Sequence, residues 1–89
     1  MNGPTLPDRP ALNRRCRLQW EPAQGAHVLL YPEGMVRLND SAAAILQGCD
    51  GASSVAQIVG RLEAQFGATG LRAEVESFMA HAFLHDWIV

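Results

Sequence analysis

The sequence predicts a small α+β domain in which a three-stranded antiparallel sheet comes first and three helices follow. Residues 14–38 alternate apolar and polar side chains and carry two turn signals, whereas beyond Asn39 the apolar residues recur at three- and four-residue spacing. The change from one period to the other falls inside a single stretch, Leu30–Leu46, where strand, turn, strand and helix cap follow one another. A chain of 89 residues has room for one such domain.

Taken in order, the first twelve residues carry Pro4, Pro7 and Pro10. Each proline lacks a donor and pushes its predecessor toward extended backbone, so residues 1–12 read as a tail with no fold of its own, ahead of a single domain over 13–89. From Arg14 to Glu21, Cys16, Leu18 and Trp20 share one face while Arg15, Arg17 and Gln19 share the other, as in a half-buried strand. Pro22-Ala23-Gln24-Gly25 ends it, and His27–Tyr31 forms the second strand. Pro32-Glu33-Gly34 then turns the chain, the glycine being expected to accept a positive φ, into a third strand over Gly34–Leu38. That strand is short and falls at the end of the β meander, so it is expected to be an edge with unpaired N–H and C=O groups.

Asn39-Asp40-Ser41 offers side-chain oxygens to the orphan N–H groups of a first helical turn, and Ala42, Ile45, Leu46 and Cys49 follow at helical spacing. Asp50-Gly51 is expected to close this helix through a left-handed glycine. Ser54 and Gln57 have the spacing of a capping box, after which Val55, Ile58, Val59, Leu62 and Phe66 make an apolar stripe. Gly67–Gly70 breaks the chain before a last helix from about Arg72 to about Asp86, with Ile88-Val89 as an extended end.

Composition narrows the function classes. Hydrophobic residues make up 48% of the chain and charged ones 18%, and a domain this small leaves much apolar surface uncovered, so part of it should meet a partner. The net charge is −2, and every one of the seven cations is arginine. Nucleic-acid binders show a clustered basic excess, so no nucleic-acid partner is expected. Cys16 and Cys49 are too few and too far apart for a disulfide framework and read as thiols of a reducing cytoplasm. The N-terminal residues lack a signal-peptide pattern, and no apolar run approaches a membrane span, so a cytoplasmic protein without membrane contact is expected.

Nothing in the chain assembles into an active site. No Ser/His/Asp or Cys/His arrangement and no phosphate-cradling glycine loop is present, and neither catalytic residues nor a cofactor site is expected. His81 and His85 stand four apart, as in a two-histidine metal pair, but no third ligand accompanies them and they read as solvated helix surface. The last helix is the unusual element. On a helical wheel Leu71, Val75, Phe78, Met79 and Ala82 form one apolar arc, which must face the core, and Ala73, Ala80, Phe83, Leu84 and Trp87 a second on nearly the opposite side. The second arc reads either as residues buried by the strands and the tail or as a groove wall or oligomer contact.

At Tyr31–Leu46, YPEGMVRLNDSAAAIL, with Cys49-Asp50-Gly51, Ser54–Val59 and the RLQW of the first strand, the chain resembles the pyrroloquinoline quinone biosynthesis protein D (PqqD) family. The likeness runs from about Arg15 to the C-terminus. It implies a winged helix-turn-helix-like fold with its three-stranded wing placed first. It also implies a peptide chaperone that recognises the precursor peptide PqqA and presents it to the radical S-adenosylmethionine enzyme PqqE, which cross-links a glutamate and a tyrosine of the peptide. The iron–sulfur clusters and S-adenosylmethionine would belong to that partner. The peptide is expected to add as a strand along Gly34, Met35, Val36, Arg37 and Leu38, with apolar side chains against Phe83, Leu84 and Trp87 of the last helix. A DNA-binding winged helix and a dimerisation module are the alternatives, and a homodimer could coexist with peptide binding.

Overall fold

The computed structural model describes residues 5–89; the part of the tail expectation that concerns residues 1–4 lies outside the described residues. Three strands, β1 (Arg17–Glu21), β2 (Ala26–Tyr31) and β3 (Gly34–Arg37), precede three helices, α1 (Asp40–Gly48), α2 (Val55–Phe66) and α3 (Arg72–Leu84). This is the expected α+β order. The sheet is antiparallel in the order β1-β2-β3, so β3 is an edge. Cross-strand rows run Leu18–Leu29–Val36 on one face and Gln19–Val28–Arg37 on the other.

The helix signals are realised in atomic detail. Asn39 caps α1, its side-chain oxygen accepting from the N–H of Ala42 at 2.8 Å. Ser54 and Gln57 form the reciprocal capping box of α2, which ends at Gly67 with φ of 61°. Helix α1 is the centre of the molecule: Ala42, Ala43, Ala44, Ile45 and Leu46 are all buried, so it is covered on every side rather than along one stripe. Ile58, Val59 and Leu62 of α2, Val75, Met79 and Ala82 of α3, and Leu29 of β2 pack around it. At Gly48 a side chain would come within 3.2 Å of Ile58, so glycine there lets α1 and α2 approach closely.

Four expectations are corrected. Residues 9–12 are not a free tail. Pro10 is fully buried, Ala11 exchanges hydrogen bonds with Val89 (2.9 and 2.8 Å), and Leu12 N–H donates to Cys49 O at 3.0 Å. Proline signals deter regular elements, but Ala11, Leu12 and Asn13 keep their donors and spend them on the C-terminus and on the end of α1. Strand β1 begins at Arg17, because Asn13–Cys16 closes a turn through Cys16 N–H to Asn13 O at 2.8 Å. Gly34 is not among the positive-φ residues; Pro32 and Glu33 alone make the turn, and Gly34 already pairs with Tyr31. Gly51 does have a positive φ, 77°, but α1 has ended three residues earlier, at Gly48.

The last helix also stops early. Asp86 takes a left-handed φ of 60°, its N–H donating to Phe83 O while the N–H of Trp87 donates to Ala82 O at 2.9 Å. These two bonds make a Schellman cap with aspartate where glycine is usual. The cap reverses the chain, so Trp87 and Ile88 fall back into the core instead of continuing the helix. Among the described residues no helix is long and apolar enough to cross a membrane.

Candidate functional site

The pairing register decides which backbone groups of β3 are free. Leu38 N–H donates to His27 O at 2.9 Å, which makes His27/Leu38 a hydrogen-bonded pair. In an antiparallel ladder such pairs alternate, so Val36 and Gly34 also direct their backbone groups at β2. Met35 and Arg37 therefore aim theirs away from the sheet. What faces them is not another element: no Cα atom of β3 comes within 8 Å of one in α3. A strand added beside β3 would lie about 4.8 Å from it, on the α3 side.

The gap is an apolar groove of about 470 Å³. Its β-side wall is Val36, Arg37 and Leu38, and its floor includes Ala42, Ile45 and Leu62. Leu71, Val75 and Phe78 of the α3 side face them, with Glu74 and His81 among the polar residues that also line it. At one end lie Phe66 and Ala68; at the other is Trp87, whose ring stacks on His85 at 5.2 Å and meets His81 at 5.4 Å and Tyr31 at 5.8 Å. The groove thus sets an open strand edge beside apolar side chains, with few charges among its lining residues.

The expected site residues separate here. Val36, Arg37 and Leu38 line the groove; Met35, 53% exposed, and Gly34, paired with Tyr31, are not among its lining residues. Trp87 lines it too, but as a buried residue beyond the helix. Phe83 and Leu84 do not line it: Phe83 is half-buried against the core, and Leu84, 69% exposed, borders an adjoining depression that shares His81 and Trp87 with the groove. The second arc of the wheel loses only Trp87, since the helix ends at Leu84 and Trp87 follows a reversal. The α3 residues that do line the groove, Val75 and Phe78, belong to the arc assigned wholly to the core. Leu71, Glu74 and His81 complete that side.

Elsewhere the titratable groups are structural. Burial pushes the Cys49 thiol up to about 12, and burial with the nearby Glu33 charge raises that of Cys16. The carboxyl of Asp50 is held below its ordinary range by the Ala52 N–H and further by Ser53, bonds that shape the turn into α2. The rings of His81 and His85 lie 4.3 Å apart, yet among the described residues no group of three His, Cys, Asp or Glu side chains could hold a metal ion.

Comparison with known proteins gives this groove its setting. The family model "Coenzyme PQQ synthesis protein D (PqqD)" matches residues 26–88. The chain belongs to the PqqD family. It is 53% identical over 89 residues to the PqqA binding protein of Azotobacter vinelandii, spanning 99% of this chain and 97% of that one. To the PqqA binding protein of Acinetobacter baylyi it is 49% identical over 80 residues, or 89% and 81% of the two chains. The solution structure of a PqqD truncation of Methylobacterium extorquens PqqCD matches with a TM-score of 0.70 at 31% identity. It covers 90% of this chain and 87% of that one, and it is described as a functional, stand-alone recognition element for ribosomally synthesised, post-translationally modified peptides. The PqqD family is thus one of peptide recognition in pyrroloquinoline quinone biosynthesis, and three strands followed by three helices is its fold.

Proposed function

We propose that this protein binds the precursor peptide PqqA as a fourth strand along β3 and presents it to the radical S-adenosylmethionine enzyme PqqE. The observation that carries the reading is the outward-facing backbone of Met35 and Arg37, set beside an apolar groove that no element among the described residues fills. An edge strand supplies register through its backbone, and side-chain pockets supply selectivity. Ordering a disordered peptide costs about 2–5 kcal/mol, which the backbone bonds of two residues, at about 0.5–1.5 kcal/mol each, do little more than offset. The surplus comes from apolar side chains of the peptide entering between Val36 and Phe78. The family's name, and relatives that bear the name PqqA binding protein, support the choice of peptide. The chain itself supplies no catalytic group to the reaction in this reading; it holds the substrate while the partner enzyme does the chemistry.

A second copy of the chain pairing through the same β3 edge would occupy the peptide's place, so self-association there and peptide binding exclude each other. A net charge of −2 leaves a DNA-binding reading without electrostatic support. The test is a titration of ¹⁵N-labelled protein with synthetic PqqA. The amides of Met35 and Arg37 and those around Phe78 should shift together, and PqqE turnover of PqqA should rise on adding the protein. Saturating peptide that leaves Met35–Leu38 unshifted would sink strand addition.

A further inference from the structure

The same register that frees the backbone of Met35 and Arg37 places their side chains on the sheet face opposite that of Val36, with Arg37 also bordering the groove. There the rows read Arg17–Leu30–Met35 and Gln19–Val28–Arg37. Val28 is fully buried and Leu30 half-buried, whereas Met35 and Arg37 are exposed at the open end of their rows. The ion pair found among the described residues joins Arg72 and Glu76, and Arg37 makes none. A strand added beside β3 would thus be read on two sides. Its inward side chain meets Val36 and the groove, and its outward side chains stand opposite Met35 and Arg37.

We infer that Arg37 is a specificity-determining residue for the peptide of the proposed function, selecting an acidic side chain at the outward position opposite it. The reading rests on strand addition at β3. It makes the recognised stretch an extended segment in which the acidic residue is next to an apolar one that enters the groove, with a second apolar residue beyond it opposite Met35. Directly opposed charges on neighbouring strands attract when unlike and repel when like, and the guanidinium can grip a carboxylate with two parallel hydrogen bonds. A lysine or arginine at the same place in the peptide would be rejected, as would a bare apolar run, because Arg37 would then be covered without a partner.

The experiment is a charge-swap cycle by isothermal titration. Wild type, Arg37→Gln and Arg37→Glu are each titrated with synthetic PqqA and with PqqA variants in which one acidic residue at a time becomes lysine. Neutralising Arg37 should weaken binding about threefold and reversing it about tenfold, both effects shrinking in high salt. One lysine variant should bind Arg37→Glu more tightly than it binds wild type, and the same variant should gain nothing on Arg37→Gln. Circular dichroism of Arg37→Gln checks that the fold is retained. If no lysine variant prefers Arg37→Glu, or if Arg37→Glu binds PqqA as wild type does, the inference is overturned while strand addition stands. Failure of wild type to bind PqqA at all overturns both.

Discussion

The groove has two walls that were built under different rules. On the β3 side, alternation along the strand and the pairing with β2 decide everything: Val36 must face inward because its partner Leu29 does, and Arg37 must share the opposite face with its partner Val28. On the α3 side, the residues that face the groove depend on how the helix is rotated and where it ends. Both walls are apolar where they meet, yet only the first can be derived from local pattern. A strand has two faces and one rule of alternation, whereas a helix can be turned continuously and buried through more than one arc.

That difference can be broken experimentally, and proline is the sharpest tool. Val36→Pro removes a donor used within the sheet and should unfold the protein or lower its stability by about 3 kcal/mol. Arg37→Pro removes a donor that points outward, so the sheet should survive while PqqA binding falls about ten- to hundredfold. Thermal melting and titration calorimetry of both variants check this; equal damage to stability would mean that the register is not as described.

The helical wall is tested by Phe78→Asp. A charge placed among Val36, Leu71 and Val75 should weaken PqqA binding about tenfold, since a carboxylate must be buried to let the peptide in. Leu84→Asp, by contrast, lies outside the groove and should change affinity less than about twofold, near the limit for an exposed position. Calorimetry on the pair decides between the middle of α3 and its C-terminal turn as the peptide's neighbour.

Two further changes act on the frame that holds the walls apart. Asp86→Gly relieves the left-handed backbone at the cap that sends Trp87 back to the groove, and should raise stability by up to about 1 kcal/mol, or about 4–8 °C in Tm. Asp50 acts on pH dependence. Because its folded-state carboxyl titrates below the unfolded one, held by Ala52 N–H first, it contributes stability that is present above the unfolded pKa. That contribution is lost as pH falls through the folded value. Asp50→Asn should therefore flatten the acid limb of the stability curve; urea midpoints compared at neutral and acid pH provide the measurement.

Much of the fold was legible from residues alone. Asn39, Ser54, Gln57 and Gly67 mark helix ends because capping is a contact over three or four residues, and the sequence spacing is the spatial one. The strands were legible for the same reason, since Leu18, Leu29 and Val36 sit on the faces that their alternation assigns. The Schellman turn at Asp86 was not, because a left-handed aspartate carries none of the signal a glycine would. Nor was the pairing of Ala11 with Val89, in which the partners come from opposite ends of the chain. Three prolines there argued for a tail, and only the meeting with the C-terminus turned the segment into structure.

By itself, then, the chain determined its element order, its caps, the open edge at β3 and the family to which its motifs correspond, all of which rest on residues close in sequence. The groove was decided by the tertiary structure alone. Its width follows from α1 standing buried between the sheet and the other helices, and its far wall from the rotation that turns Phe78 and Val75 toward β3 while Leu84 points elsewhere. These are packing outcomes among elements some forty residues apart in sequence, where the apolar pattern says that a face must be covered but not by which neighbour, nor what space is left over.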